Sequence, residues 1–246
     1  MPNHHTAPGI TAALKARWQA WVAQVPSQCA VCHAWPAQRV CSACVARFAQ
    51  PHHRCDTCAL RMPAGVQRCG ACLRAPPPLD LCLAAVDYGY PWSQALAQFK
   101  FQGDPGWATT LAALLQRLPE VQSALALADR VVPVPLAPGR LRQRGFNQAL
   151  QLAQCLAPGK VEARGLLRVR ATPDQHTLAR AQRLRNLQGA FAVDPLHLQQ
   201  WQTRRVVLVD DVMTTGATFH AAAAALRAAG VQHIAALAVA RTPAPN

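Results

Sequence analysis

Eight of the ten cysteines in this chain lie between residues 29 and 72, where they form four Cys-x-x-Cys knuckles. Such a turn directs two thiolates at one ion, and two turns together make a closed tetrahedral site that suits Zn2+. The pattern therefore predicts two structural zinc sites. The simplest pairing is sequential, and an interleaved pairing stays open. In the sequential pairing the first site contains Cys29, Cys32, Cys41 and Cys44, and the second contains Cys55, Cys58, Cys69 and Cys72.

The composition is that of a folded protein, because 51% of its 246 residues are hydrophobic and only 15% are charged. The length fits one ordinary domain plus a small one. No apolar run approaches the roughly 18 residues of a membrane span. The first residues lack the basic and apolar regions of a signal peptide. We therefore expect a cytoplasmic protein, in which disulfides are disfavoured and metal-bound thiolates are favoured.

The distribution of residue types predicts four regions along the chain. Residues 10–25 carry an apolar stripe, which predicts an N-terminal amphipathic helix within residues 1–26. The cysteine knuckles predict a double zinc ribbon over residues 27–74, and a proline-rich linker follows over residues 75–80. In residues 81–246 short apolar runs alternate with helical patterns. That alternation predicts an α/β domain with a parallel sheet and a site at the carboxyl ends of its strands.

The sharpest functional signal follows a predicted buried strand at residues 205–209. Asp210 and Asp211 come directly after it, and a Thr/Gly loop then leads into a predicted helix. Two carboxylates can accept hydrogen bonds from a vicinal diol such as that of ribose, whereas hydroxyl and N–H groups at a helix N-terminus bind phosphate. The chain lacks a Walker P-loop and a Gly-x-Gly-x-x-Gly motif. The predicted phosphate-binding residues are Thr214, Thr215, Gly216, Ala217 and Thr218.

The segment 206–218 resembles the motif with which type I phosphoribosyltransferases bind phosphoribosyl pyrophosphate (PRPP). The resemblance implies that Asp210 and Asp211 are the catalytic residues that hold the ribose, that the Thr/Gly loop holds the 5-phosphate, and that PRPP binds with Mg2+. Purine-salvage members of that family have an acidic general base where this chain has Thr214. Its absence argues against a close purine-salvage analogue, although orotate-type members also have Thr there.

Four cysteine knuckles ahead of such a domain are similar to the ComF/GntX family of competence proteins. The segments Lys100-Phe101-x-Gly103, 132–136 and 140–148 support the resemblance. It implies that residues 81–246 form a type I phosphoribosyltransferase-like domain. It also implies a role in natural transformation, with single-stranded DNA and a membrane-associated DNA-uptake machinery as partners, at the inner face of the membrane.

Three further residues are assigned to PRPP binding. The family's pyrophosphate loop follows the strand predicted near residues 130–134, so the resemblance places Pro135 and Leu136 at the ligand. Lys100 is a candidate that reaches the same site. An exposed lysine at a helix end is an equally good interpretation of its position.

The segment between Leu136 and Ala190 holds ten basic residues and only two acidic ones, in a chain with a formal charge of +14. Arginine forks onto phosphate oxygens, so these side chains either bind the pyrophosphate of PRPP or line a groove for single-stranded DNA. Phe146 or Trp201 would then offer a stacking surface. The candidates for both roles are Arg140, Arg142, Arg144, Arg180, Arg183 and Arg185.

Three functions stay open at this point. The first is a ComF-type competence protein that assists uptake of single-stranded DNA and has a PRPP-binding site. The second is an active salvage-type phosphoribosyltransferase. The third is a nucleic-acid-binding module with a relic PRPP pocket. The residues alone do not decide whether the site is catalytic.

Overall fold

The computed structural model describes residues 27–35, 37–170, 187 and 189–244. The predicted N-terminal amphipathic helix lies outside these residues, and so do three of the arginine candidates. Those three are Arg180, Arg183 and Arg185. Within the described part of the chain, no helix is long and apolar enough to cross a membrane.

The chain divides into two compact units, Met1–Arg47 and Phe48–Asn246. The first four-cysteine cluster lies in the first unit, where Ser27 and Ala37 form an antiparallel bridge. The second cluster lies in the second unit, and its cysteines are part of the same hydrophobic core as the strands of the α/β domain. Along the chain, the boundary between the units therefore falls between the two clusters, whereas the double ribbon predicted over residues 27–74 contains both of them.

The described residues of the second unit include six strands. They are β1 Leu81–Asp87, β2 Arg130–Pro133, β3 Leu166–Arg168, β4 Phe191–Val193, β5 Arg205–Met213 and β6 His233–Arg241. Four of them form a parallel sheet in the order β1-β6-β5-β2, and β3 and β4 form a separate antiparallel pair. The inner strands β5 and β6 are nearly continuous apolar runs because helices cover a parallel sheet on both faces. The predicted α/β class with a parallel sheet is confirmed.

Eight helices complete the described structure. They are α1 Ser42–Phe48, α2 Gly70–Arg74, α3 Trp92–Phe101, α4 Trp107–Gln116, α5 Pro119–Leu127, α6 Pro138–Arg144, α7 Gln148–Leu156 and α8 Ala217–Ala228. Two short 3-10 segments, Pro158–Lys160 and Pro195–Trp201, join them. Helix α7 packs on β2 and β5, α4 packs on α7 and β6, and α8 packs on β4 and β5. These contacts cover the sheet and leave the carboxyl ends of its strands for a site.

Residues 141–156 form two helices, although their apolar spacing is typical of a single one. Gly145 adopts a left-handed conformation with φ +77° and ends α6, which glycine does without the steric penalty of a β-carbon. Asn147 then caps α7, since its Oδ1 accepts a hydrogen bond from the Ala149 N–H at 2.9 Å.

Strand β5 is four residues longer than the apolar run from which it was predicted. Pro133 is opposite Val209 in the register with β2, and the Val134 N–H donates to the Val209 carbonyl at 2.9 Å. Beyond Val209, β5 continues beside β6 alone, with Asp210 opposite Ala238. Asp210 and Asp211 therefore lie within a strand, at the place where the sheet loses its β2 neighbour.

Asn147 links the start of α7 to the segment after β2, because its Nδ2 also donates to the Val134 carbonyl at 3.1 Å. We predict that Asn147→Ala lowers the free energy of unfolding by about 1–2 kcal/mol, the usual cost of a lost N-cap. Asn147→Asp keeps the cap and loses only the donor to Val134, so it should lower the stability less. Urea denaturation of both variants provides the measurement, and an unchanged Ala variant would contradict this role.

Candidate functional site

Asp210 and Asp211 lie side by side near the carboxyl end of β5. Asp211 is buried, with 6% of its surface exposed, and its carboxylate pairs with the Lys100 ammonium at 3.0 Å. Lys100 comes from the last turn of α3 and is itself mostly buried, so it belongs to this site and is not an exposed helix-end lysine. The Asp210 Oδ1 accepts a hydrogen bond from the Asp211 N–H at 2.8 Å.

The two carboxyl groups have different surroundings. Burial, and then the nearby Asp211 carboxylate, raise the pKa of Asp210 to about 7, against the opposing effect of Lys100. Asp211 has the lysine as its direct ion-pair partner. Near neutral pH the site thus combines a carboxylate that accepts hydrogen bonds with a carboxyl that also donates one. Such a pair suits two adjacent hydroxyl groups.

The loop after β5 leads directly into the N-terminus of α8. Gly216 has φ +83°, and a β-carbon there would lie 2.6 Å from the Met213 Cε and 2.9 Å from the His220 Nε2. Only glycine therefore fits without displacing its neighbours. The Thr215 Oγ1 accepts a hydrogen bond from the Ala217 N–H at 3.4 Å. The N–H groups of the first turn of a 12-residue helix face the region beyond β5, which is a favourable position for phosphate.

Arg241, the last residue of β6, anchors the beginning of this loop, and the sequence analysis missed it. Its Nη1 donates to the carbonyls of Met213 at 3.3 Å and Thr214 at 2.5 Å. Its Nε donates to the Cys58 carbonyl at 2.8 Å. The sequence feature that could have identified Arg241 is its position as an arginine at the end of an otherwise apolar strand.

The segment predicted to contact pyrophosphate lies beside the acid pair in the sheet. Pro135 and Leu136 follow β2, which is the neighbour of β5, and both are half-buried. Parallel strands end at the same edge of a sheet, so this segment and the acid pair share that edge.

The described arginine candidates all come from α6. Arg142 is exposed, and the Arg144 guanidinium lies over the ring of Phe101, 5.2 Å from its centroid. Burial lowers the pKa of Arg168 on β3, as does the positive charge of Arg140, while Asp210 opposes them. These interactions place Arg168 within electrostatic range of both Arg140 and Asp210.

The aromatic side chains are arranged differently from the sequence expectation. Trp201 is 2% exposed, and its ring fills the space above Gly165, so its assignment as a stacking surface is wrong. Phe146 is half-buried, with its ring centroid 5.9 Å from that of Phe99. Phe101 is instead 68% exposed beside Arg144. The position of Phe101 next to Lys100 in the Lys-Phe-x-Gly segment is the sequence signal that could have identified it as a candidate stacking residue.

A cavity of about 340 Å3 lies at the opposite edge of the sheet, where β1, β5 and β6 begin. Residues of α5 line it together with Arg205 and His233, and its surface is mostly apolar. It contains none of the predicted site residues.

The two cysteine groups have the geometry of four-thiolate metal sites. Among the described residues, the sulfur atoms of each group lie within 4.8 Å of one another, which confirms the sequential grouping. The Cys32 and Cys41 sulfurs are 3.6 Å apart, and those of Cys58 and Cys69 are 3.7 Å apart. A tetrahedron with Zn–S bonds of about 2.3 Å requires sulfur separations of about 3.8 Å.

The protonation of these thiols also favours a bound cation. Burial raises the pKa of Cys29, but N–H donors such as that of Cys41 outweigh it and bring the pKa to about 6. Burial and the neighbouring thiols raise the pKa of Cys44 to about 12, and burial also raises the pKa of Cys58. Four thiolates cannot be held this closely without a positive ion, and a divalent metal supplies that charge.

Fresh protein should contain two equivalents of zinc, one for each cysteine group. In the first group Cys32 is exposed, whereas all four cysteines of the second group are buried. A chromogenic chelator should therefore remove the two ions in two phases, and the second group should release its ion more slowly. Cys32→Ser should lose the ion of the first group and with it the fast phase, and should leave the slow phase unchanged. Elemental analysis that found iron, or almost no metal, would contradict the assignment.

The raised pKa of Asp210 predicts how stability changes with pH. Between the unfolded pKa, near 4, and about 7, the folded state keeps a proton that the unfolded state has lost. The free energy of unfolding therefore falls as pH rises through this interval, and levels off above the folded pKa. Asp210→Asn should weaken this fall between about pH 4 and pH 7, while the exposed Glu120→Gln should not. The free energy of unfolding is measured by urea denaturation at each pH. If it changed with pH in the same way for the wild type and both variants, the raised pKa of Asp210 would be contradicted.

Comparison with known proteins gives a consistent assignment. The phosphoribosyl transferase domain family matches residues 143–245. The chain is 39% identical over 155 residues to the DNA utilization protein YhgH of Escherichia coli strain K12, covering 59% of this chain and 65% of that protein. It is 35% identical over 170 residues to Competence protein F of Haemophilus influenzae, covering 66% of this chain and 73% of that protein. Competence protein ComFC of Bacillus subtilis is 30% identical over 136 residues, covering 54% of this chain and 52% of that protein.

The chain spans less than two thirds of the length of the Escherichia coli relative but nearly three quarters of the Haemophilus one. The fold agrees with these similarities, because the matched domain contains β5, its acid pair and the loop before α8. The chain therefore belongs to the ComF family of competence proteins, with a phosphoribosyltransferase-like domain.

Proposed function

We propose that this chain is a ComF-type competence protein that binds PRPP with Mg2+ at the carboxyl end of β5 and assists the handling of single-stranded DNA during natural transformation. The observation that carries the proposal is the adjacent Asp210–Asp211 pair, in which the buried Asp211 pairs with Lys100, directly ahead of a loop at a helix N-terminus. Its relatives named as competence and DNA utilization proteins support the same process.

Each part of the ligand has matching groups at this edge. The carboxyl groups of Asp210 and Asp211 are suited to the two ribose hydroxyls, since one accepts and the other also donates. The Thr215–Thr218 region offers hydroxyls and helix N-terminal N–H groups to the 5-phosphate. Mg2+ enters with the ligand, because it prefers phosphate oxygens and waters to a site built from protein side chains alone.

The pyrophosphate is assigned to the side of the site where β2 ends. Pro135 and Leu136 share the sheet edge with the acid pair, and the guanidinium of Arg168 lies within electrostatic range of both Asp210 and Arg140. A cationic group there would stabilise the charge of the pyrophosphate, whether it stays bound or leaves.

Transfer of the phosphoribosyl group to an acceptor is a second candidate function. It is favoured by the pKa of about 7 for Asp210, since a carboxyl that titrates near neutral pH can take a proton from a nucleophile. Release of pyrophosphate that depends on an added nucleobase would support it. Silence with all common nucleobases would count against it.

The DNA-binding part of the proposal concerns the arginine surface, defined here as Phe101, Arg140, Arg142 and Arg144. Its charge complements a phosphodiester backbone, and its exposed ring offers a face on which a base can stack. The surface adjoins the phosphoribosyl site, because Phe101 follows Lys100 in the chain.

Zinc is the metal proposed for both cysteine groups, since four thiolates in a closed tetrahedron suit it. Thiolates survive as metal ligands in a reducing compartment, which supports a cytoplasmic location.

Calorimetric titration with Mg2+ and PRPP should show binding by the wild type and at least a tenfold loss of affinity, about 1.4 kcal/mol, in Asp210→Asn/Asp211→Asn. The reason is that neutral amides at these positions accept weaker hydrogen bonds from the ribose hydroxyls than carboxylates do. Glu120→Gln, at an exposed position, is the matched control and should bind as the wild type does. Absence of binding in the wild type would overturn the PRPP proposal.

Binding of an oligothymidine strand should weaken steeply with salt, and Arg142→Ala should reduce the slope of log K against log salt by about 0.7. Phe101→Ala should weaken binding about tenfold with an unchanged slope, since stacking releases no counterions. Arg117→Ala removes an exposed arginine next to α5, at the opposite edge of the sheet, and should have no effect. A flat salt dependence would contradict the DNA-binding role.

A further inference from the structure

Arg241 joins two parts of the second unit that the proposed function treats separately. It is buried, with 5% of its surface exposed. One side of its guanidinium contacts the Cys58 carbonyl in the second cysteine group. The other side contacts the carbonyls of Met213 and Thr214, where the phosphate loop begins, and it also donates to Thr242.

Other contacts join the segment that carries this cysteine group to β1. Near the start of β1, the Cys82 N–H donates to the Asp56 carbonyl at 2.6 Å. Arg54 pairs with Asp87 at 2.7 Å, at the carboxyl end of β1. The segment that carries the second group is therefore part of the sheet edge on which the phosphate loop stands.

The geometry of Arg241 depends on its carbonyl acceptors. A buried guanidinium has to be surrounded by acceptors, because an unsatisfied charged donor is costly. The Cys58 carbonyl is fixed only when the Cys-x-x-Cys turn is closed, and a short cysteine-rich turn obtains most of its stability from the bound ion. Opening this turn would release one side of the guanidinium and with it the contacts to Met213 and Thr214.

We propose that Arg241 is a positioning residue through which the metal at Cys55, Cys58, Cys69 and Cys72 sets the conformation of the phosphate loop. Occupancy of this group strengthens phosphoribosyl binding, and a bound ligand in turn slows release of this ion, since coupling between two sites is reciprocal. The first cysteine group, in the other compact unit, has no part in the coupling. The affinity claim rests on the proposed function, whereas the claim about loop conformation does not.

The test compares Cys58→Ser with Cys32→Ser, which removes a ligand from the first group. Hydrogen exchange of the amides at 214–219 is measured by mass spectrometry in the absence of ligand, with metal content determined on the same samples. Cys58→Ser should lose one zinc and show exchange at the loop that is faster by about tenfold, within the range of typical coupling. Cys32→Ser should also lose one zinc and leave the loop unchanged.

Arg241→Lys tests the link itself, because it keeps the charge and loses the forked geometry. It should retain two zinc ions and accelerate exchange at the loop, with amides of β2 and α7 unchanged. A general loss of stability would accelerate exchange in all of these elements together. The substitution should also weaken PRPP binding about tenfold, and PRPP should slow release of the second ion only.

Unchanged loop exchange in a Cys58→Ser protein that has lost its zinc would overturn the coupling, and so would equal effects of the two cysteine variants. If Cys58→Ser does not fold, hydrogen exchange of the loop amides in Arg241→Lys is the deciding measurement. Unchanged exchange there would also overturn the proposal. A wild type that does not bind PRPP, but whose loop responds as expected, would refute the proposed ligand and keep the coupling.

Discussion

The site depends on one electrostatic constraint, which is that two adjacent carboxyl groups lie in a strand at the interior of the sheet. Such a pair is unfavourable when both groups are ionised and buried. The protein meets the cost in two ways, with the Lys100 ammonium beside Asp211 and a proton on Asp210 below about pH 7. Within the parallel sheet, β5 extends beyond the end of β2, so that its last residues pair with β6 alone. The arrangement costs stability and is retained, which is typical of a binding site.

The cysteine groups have different structural settings. The first lies in its own compact unit, with one exposed sulfur-bearing residue, Cys32. The second is continuous with the core beneath the phosphate loop, and Arg241 connects it to Thr214. A motif that appears four times in the sequence therefore occurs in two physical contexts. In one it braces a small module, and in the other it braces the edge of the sheet.

The cysteine clusters and the strand before Asp210 could be predicted from the sequence because each depends on a local pattern of residues. The knuckle spacing predicted two four-cysteine sites and left their pairing open, and the apolar run before Asp210 predicted an inner strand of the sheet. What failed depended on long-range packing. The length of β5 is decided by its pairing with β6, and the burial of Trp201 by its packing over Gly165. The role of Arg241 depends on its hydrogen bond to the Cys58 carbonyl, and a contact between residues so far apart in the chain leaves no local pattern in the sequence.

The central claim is that the carboxyl end of β5 is a phosphoribosyl pocket. A crystal structure of the zinc-loaded protein with Mg2+ and PRPP tests it most directly. We expect that structure to show the ribose hydroxyls within hydrogen-bonding distance of Asp210 and Asp211, and the 5-phosphate bound by the N–H groups at the start of α8. PRPP bound elsewhere, for instance with its phosphates on the arginine surface and the acid pair uncontacted, would contradict it.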